Sequence, residues 1–205
     1  MLEALTGTGL AASAGLNAYI PLLAMGLLSR YTGLIDLSEE WQWLSNGWVL
    51  TLFAVLLLIE FVADKVPVVD HVNDVLQTAI RPAAGGLVFT AGASSETVTV
   101  SDPGEFFSSS QWLPAVIGVV IALAVHAIKA LARGAINAAT VGIGAPVVST
   151  AEDATSVVMS VIAIVLPVLV LLFLLTMALF TWWLLRRRRR RNQELAAARA
   201  AGFRV

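Results

Sequence analysis

Residues 48–66 read WVLTLFAVLLLIEFVADKV, an apolar run that two carboxylates interrupt near its end. A membrane hydrocarbon core about 30 Å thick needs roughly 20 helical residues to cross it. The run therefore has the length and composition of a transmembrane helix, and Glu60 lies well inside it. A carboxylate at that depth must be paired or solvated, because an isolated charge in hydrocarbon is costly.

The rest of the chain has the same character. Of its 205 residues, 58% are hydrophobic and 13% are charged, whereas an ordinary soluble domain is roughly half apolar and a quarter charged. The mean hydropathy is +0.83. We therefore predict an all-α, polytopic membrane protein. The absence of cysteine excludes disulfides, thiolate metal sites and cysteine nucleophiles.

The apolar pattern predicts about six crossings, including two broken or re-entrant segments. The long apolar stretches are residues 5–28, 48–66, 112–133 and 157–185. The two irregular segments are residues 68–93, an amphipathic stretch followed by PAAGGLVFTAGA, and residues 134–150, which are rich in small residues. Asn17 and Pro21 interrupt the first stretch, and Pro167 predicts a kink in the last.

Two tracts of the sequence are similar in outline, which makes an internal repeat an open alternative. In residues 48–86 and in residues 112–146, a helix becomes polar in its last turns and a small-residue segment follows. We expect one transmembrane domain over residues 1–185 and a basic tail over residues 186–205.

The tail fixes the predicted orientation. Six consecutive arginines, Arg186, Arg187, Arg188, Arg189, Arg190 and Arg191, follow the last apolar stretch. Basic residues at helix ends favour the cytoplasmic side and attract anionic lipid. We expect a protein of the cytoplasmic membrane with both termini in the cytoplasm and a retained first helix. Nucleic-acid binding is not expected, since no aromatic platform is interleaved with the arginines.

Ionisable residues on two of the predicted helices form the first candidate site. Glu60 and Asp64 are one turn apart, and His126, Lys129 and Arg133 share a face of another helix. In one interpretation they line a path for an ion, a proton or a small charged solute. In the other they form a structural ion-pair network, with Lys129 and Arg133 reaching toward lipid headgroups.

Two asparagines are further candidates. Asn17 and Asn137 lie at predicted helix breaks, where an amide oxygen can bind a solute or an ion. Such residues more often bridge neighbouring helices or cap a half-helix. Both interpretations stay open for these positions.

The second rank of candidates consists of Lys65, Asp70, Asp74, Arg133, Glu152 and Asp153. The spacing Ser149-x-x-Glu152 is typical of a capping box. A hard-cation site built from Asp70, Asp74 and Glu152 would need oxygen ligands from both sides of the membrane. The predicted topology argues against that site, and we expect no bound metal.

Four motifs carry a family resemblance. They are GLNAYIPLL (residues 15–23), IEFVADKVPVVDHVND (59–74), PAAGG (82–86) and GIGAPVVSTAED (142–153). In these the chain resembles a bacterial and plastid membrane family known as domain of unknown function 4126. The resemblance spans residues 5–167 and implies a small polytopic protein without a specified activity.

The leading hypothesis is a small transporter or channel-like protein in which Glu60 binds a cation or proton and His126 is its partner. The alternative is a membrane scaffold whose buried charges are structural. A membrane enzyme acting on lipid headgroups through Asp70, His71 and Asp74 ranks third. No nucleotide, hydrolase or metalloprotease motif is present, so we expect neither enzymatic activity nor a cofactor. Homo-oligomerisation is left open.

Overall fold

The computed structural model describes residues 2–64, 67–93, 112–140 and 144–200, and the regular structure in these ranges is all helical. The predicted all-α class is confirmed. In chain order the helices are α1 (Leu2–Leu16), α2 (Tyr19–Tyr31), a short 3-10 helix (Glu39–Ser45), α3 (Gly47–Ala63), α4 (Pro67–Ala93), α5 (Trp112–Thr140), α6 (Ala145–Val165) and α7 (Leu169–Ala200).

The chain forms two compact units, Met1–Val170 and Leu171–Val205. The first contains α1 to α6, and the second contains most of α7. The division into a transmembrane domain over residues 1–185 and a tail over residues 186–205 stays a prediction.

Helix α1 packs against α4, α5 and α6 within the first unit. Its sequence, LEALTGTGLAASAGL, is rich in Gly, Ala and Ser, so neighbouring backbones can approach closely. Every residue from Leu10 to Leu16 is buried. The hydroxyl of Ser13 donates to the carbonyl oxygen of Ser156 at 2.8 Å and lies 2.7 Å from the Ser160 hydroxyl. Hydrogen bonds between small side chains therefore join α1 to α6.

Helix α3 buries its charge and exposes its apolar residues. Glu60 is 2% exposed, whereas Leu58 and Ile59 are 62% and 58% exposed. A soluble protein has the opposite arrangement, so these outer faces suit a lipid environment.

Several helices meet the requirements for crossing a membrane. Two of them, over Trp112–Ile136 and Ala145–Val165, are long and apolar enough, and the 3-10 helix together with α3, bent by 57°, would make a third. Helices in the described part of the chain thus supply two or three candidate spans. Six crossings and an internal repeat are not confirmed.

The first predicted broken segment is a continuous helix. Residues 82–93 belong to α4, with Pro82 inside it. The glycines of this segment serve packing instead of a break. A Cβ atom on Gly86 would lie 3.2 Å from the Ala115 carbonyl oxygen of α5. Contacts with α1 and α5 stabilise the helix through the proline.

The second predicted broken segment is divided between two helices. Helix α5 continues through Gly134 to Thr140, and α6 begins at Ala145. Residues 141–143 lie outside the described residues. Pro146 falls in the first turn of α6, where the missing amide proton costs no helical hydrogen bond. Residues 134–150 therefore do not form a crossing of their own.

The predicted interruptions at Asn17 and Pro167 are confirmed. Helix α1 ends at Leu16 and α2 begins at Tyr19, while α6 ends at Val165 and α7 begins at Leu169. Pro21, in contrast, lies within the first turn of α2, where the helix tolerates it.

The crossing of α4 and α5 gives a testable prediction. A methyl group on Gly118 would overlap the Gly85 carbonyl oxygen and lie 2.5 Å from the Phe89 Cβ atom. We expect Gly118→Ala to reduce stability by about 1–3 kcal/mol, the usual cost of overpacking. Thermal unfolding in detergent micelles measures this loss.

Gly134→Ala is the matched control, since a Cβ atom there would contact nothing within 4 Å. It should leave the melting temperature unchanged or raise it, because alanine favours a helix more than glycine does. Equal melting temperatures for Gly118→Ala and the wild type would contradict the close crossing.

Candidate functional site

Four helices bring their polar turns together inside the first unit. They are the end of α3, the first half of α4, the second half of α5 and the first turns of α6. We call the result the charge cluster. Its side chains are Glu60, Asp64, Asn73, Asp74, Gln77, Arg81, His126, Lys129, Arg133, Ser149, Glu152 and Asp153.

Arg81 joins three helices in this cluster. Its side chain has no exposed surface, and its Nη2 atom lies 2.9 Å from Glu60 Oε1 of α3. Its Nη1 atom lies 3.0 Å from His126 Nδ1 of α5. Arginine only donates hydrogen bonds, so Nδ1 of His126 accepts.

The hydrogen-bond partners of His126 also determine which of its two ring nitrogens carries the proton. The Thr78 hydroxyl donates to the Asp74 carbonyl oxygen at 2.9 Å and lies 3.2 Å from His126 Nε2. With its own proton already donated, the hydroxyl accepts from Nε2. This pattern assigns His126 as the neutral tautomer with its proton on Nε2.

Asp64 is the second centre of the cluster, and both of its oxygens are used. Oδ1 accepts from Asn73 Nδ2 at 2.9 Å. Oδ2 accepts from the Ser149 hydroxyl at 3.1 Å and lies 3.2 Å from Arg133 Nη2. The carboxylate at the end of α3 is thereby tied to α4, α5 and α6.

Glu152 of α6 binds both cations of α5. Its Oε2 atom lies 3.2 Å from Lys129 Nζ and 3.0 Å from Arg133 Nε. Lys129 also donates to the carbonyl oxygen of Leu16, the last residue of α1, at 2.7 Å. The ammonium group therefore caps α1, which favours positive charge at its carboxyl end.

Asn17 links the break after α1 to α6. Its Oδ1 atom accepts from the backbone amides of Tyr19 and Ile20, at 3.0 and 3.3 Å, and so caps α2. Its Nδ2 atom donates to Asp153 Oδ1 at 2.9 Å. Both amide atoms thus have protein partners, as expected for a bridging and capping residue.

Charges in the cluster do not balance among the described residues. Five carboxylates (Glu60, Asp64, Asp74, Glu152 and Asp153) face three basic side chains (Arg81, Lys129 and Arg133). Neutral His126 adds nothing. Two buried carboxylate oxygens in the described cluster, Glu60 Oε2 and Asp153 Oδ2, have no hydrogen-bond partner.

Most of the predicted site residues come together in this cluster. Those present are Glu60, Asp64, His126, Lys129, Asp74, Arg133, Glu152 and Asp153. Asn17 lies beside the cluster and donates to its Asp153. Lys65 lies outside the described residues, as do the side chains of Asp70, His71 and Asn137. Asn137 belongs to the continuous α5, so the predicted helix break at this position is wrong.

The structure corrects the predicted contacts of the basic residues. The partner of Glu60 is Arg81, and not His126 as predicted. Lys129 and Arg133 are each 4% exposed, so they do not reach toward lipid headgroups. Both instead have carboxylate partners inside the bundle.

The structure also corrects two predictions about α6. Ser149 donates to Asp64 and Glu152 binds cations, so the pair does not cap a helix; α6 begins four residues earlier. Asp74 and Glu152 were expected on opposite sides of the membrane. Both approach Arg133, at 3.8 Å and 3.0 Å, because α5 and α6 meet at the ends that the predicted topology separated.

Sequence reasoning missed Arg81, Gln77 and Asn73 as members of the cluster. A signal for them exists, because the spacing 73, 77 and 81 places all three on one face of a continuous α4. Dividing residues 68–93 into two short segments hid that face.

The arginine tail belongs to the second unit. Arg186 lies 5.0 Å from the centre of the Trp182 ring, and Arg187 lies 5.3 Å from that of Trp183. The side chains of Arg188, Arg189 and Arg191 lie outside the described residues, and Arg190 is exposed.

Apolar helices of membrane-spanning length around an interior cluster of charges define an α-helical membrane protein. A family model, described as a domain of unknown function (DUF4126), matches residues 4–187. The chain belongs to this family, which confirms the resemblance seen in its motifs. No curated protein and no solved structure matches the chain.

Lys129 gives a stability prediction. Lys129→Met removes a cation from Glu152 and a donor from the Leu16 carbonyl oxygen, both inside the bundle. We expect the free energy of unfolding to fall by about 3–5 kcal/mol, as when one member of a buried ion pair is removed. Unfolding in mixed micelles by increasing dodecyl sulfate measures the change.

Arg30→Met is the control for loss of a cation. Arg30 is exposed and donates to the Ser45 carbonyl oxygen at 2.8 Å, so its removal should cost about 1 kcal/mol. Similar losses for the two variants would contradict a stabilising role for the buried lysine.

Proposed function

We propose that the protein moves an ion or a small charged solute across the membrane through a polar path beside α3 and α5, with Glu60 as its ion-binding carboxylate. The observation that carries this proposal is the unpartnered Oε2 atom of Glu60. It is buried within the charge cluster, while Oε1 of the same carboxylate binds Arg81. In an ion pair that serves only stability, both carboxylate oxygens are expected to have partners, because buried polar atoms are nearly always hydrogen-bonded.

The charge of the cluster supports the same proposal. Five carboxylates face three basic side chains among the described residues. Excess negative charge in a low-dielectric interior is costly, and a bound cation or proton relieves it. Intramembrane carboxylates of this kind are characteristic of ion and proton pathways.

Transport also implies a location and an orientation in the membrane. We expect the cytoplasmic membrane as its location, several crossings and the basic carboxyl-terminal segment on the cytoplasmic side. The arginines from Arg186 onward would then bind anionic lipid headgroups. Trp182 and Trp183 contact Arg186 and Arg187, and tryptophans beside basic residues are typical of the membrane–water interface.

A scaffold is the second candidate, and a different observation favours it. Asp64 uses both oxygens, and Lys129 binds both Glu152 and the end of α1. Both side chains have partners on several helices, as expected of residues that stabilise a helical bundle. On this view the whole cluster holds the helices together and moves nothing.

Flux measurements separate the two functions. In proteoliposomes with a pH-sensitive dye and monovalent-cation gradients, we expect the wild type to carry flux and Glu60→Gln to lose at least nine tenths of it. Glutamine keeps the size of the side chain and an acceptor for Arg81, so both proteins should elute identically on size exclusion.

Asp36→Asn is the matched control, because Asp36 is an exposed carboxylate outside the cluster. It should transport as the wild type does. Absence of flux in the wild type, together with lower stability of Glu60→Gln, would reject transport and favour the scaffold.

A further inference from the structure

Three buried polar atoms without a hydrogen-bond partner lie at one end of the charge cluster: Glu60 Oε2, Gln77 Oε1 and Arg81 Nε. Glu60 and Gln77 are each 2% exposed. Gln77 and Arg81 are one turn apart on the same face of α4, and Arg81 binds Glu60, which places Gln77 next to the residue that holds Glu60. Tyr19 of α2 is close to the same place, since Gln77 and the charges of Glu60 and Arg81 all act on its hydroxyl group.

The chemistry of these atoms suits a proton better than a metal cation. Hard metal cations take about six oxygen ligands, and the unpartnered oxygens here are one carboxylate oxygen and one amide oxygen. The Arg81 guanidinium, 2.9 Å from the carboxylate, would repel a metal ion. A proton needs only a carboxylate oxygen to bind and an acceptor to share it, which are the two atoms available.

Resting on the proposed function, we infer that the transported ion is a proton, which Glu60 binds on Oε2 and shares with the amide oxygen of Gln77. A hydronium ion supplies the proton, the new O–H bond forms at Oε2, and a water molecule leaves. In the second half of the transport cycle, Glu60 loses this proton to a water molecule.

Arg81 is the counter-charge that competes with this proton. It binds the ionised Glu60 at 2.9 Å, and Asp74 Oδ1 lies 4.0 Å from its Nη1 atom. The side chain of Asp74 is 31% exposed, so this second acceptor for Arg81 lies partly at the surface of the protein. Protonation of Glu60 removes its charge, and Arg81 then shifts toward Asp74 while His126 continues to accept from it.

The groups around Glu60 determine how it titrates. Charges act on it from Arg81 of α4, from Lys129 of α5 and from Asp64 at the end of α3 itself. Tyr19 faces it from α2. The 3-10 helix also packs on α3, but its Glu39 and Glu40 lie at the opposite end, about 20 Å away by helical rise.

Infrared spectroscopy of the purified protein in lipid tests the inference. The carbonyl stretch of a protonated carboxyl group is recorded during a pH titration, with NaCl, KCl or choline chloride at constant ionic strength. We expect a pH-dependent band component that the wild type and Asp36→Asn share and Glu60→Gln lacks, with no change in that component between the three salts.

Gln77→Met is the second variant, and it leaves the titrating group in place. Removing the acceptor should shift the band to higher frequency, because the Glu60 O–H group then donates a weaker hydrogen bond. Identical pH-dependent carboxyl bands in the wild type and Glu60→Gln, no shift of the Glu60 component in Gln77→Met, or removal of that component by Na⁺ or K⁺ at constant pH would overturn the inference.

The outcomes also separate this inference from the proposed function. A titrating Glu60 in a protein without flux would keep the proton site and reject transport. Flux of Na⁺ or K⁺ that depends on Glu60, with no carboxyl band, would keep transport and reject the proton.

Discussion

A permanent positive charge with no exposed surface must find its acceptors inside the bundle, and Arg81 is such a charge. Its position on α4 requires a carboxylate from α3 and an acceptor from α5 within hydrogen-bonding distance. Glu60 and His126 satisfy that requirement at 2.9 and 3.0 Å. The rotation of α3 follows, because burial of Glu60 leaves Leu58 and Ile59 facing outward.

The charge cluster has two ends with different degrees of pairing. Around Asp64 and Glu152, the cations of α5 and the polar groups of α4 and α6 supply several donors. Around Glu60, a carboxylate oxygen, an amide oxygen and a guanidinium nitrogen are left without partners, whereas Asp153 Oδ2 is the one such buried atom in the rest of the described cluster. Because unpaired polar atoms are costly in a low-dielectric interior, function is the better explanation at the second end and stability at the first. This asymmetry reconciles the transporter and scaffold hypotheses within one structure.

The sequence was a good guide where local chemistry decides the structure. Long apolar stretches predicted the helices, Asn17 and Pro167 predicted breaks, and the spacing of His126, Lys129 and Arg133 predicted a shared face. It failed where packing against other helices decides. Pro82 and its glycines suggest a break, but contacts with α1 and α5 maintain a continuous α4. Ser149 and Glu152 fit a local cap, yet the buried Asp64 and Arg133 attract them more strongly.

A double-mutant cycle tests most directly whether Glu60 and Arg81 interact with each other in the interior. The free energy of unfolding would be measured for the wild type, Glu60→Gln, Arg81→Met and the double variant. A direct buried pair predicts a coupling energy of about 1–3 kcal/mol, since residues in contact are not additive. Single effects that add to within about 0.5 kcal/mol would mean that the two side chains act independently, and the account of the charge cluster would be wrong.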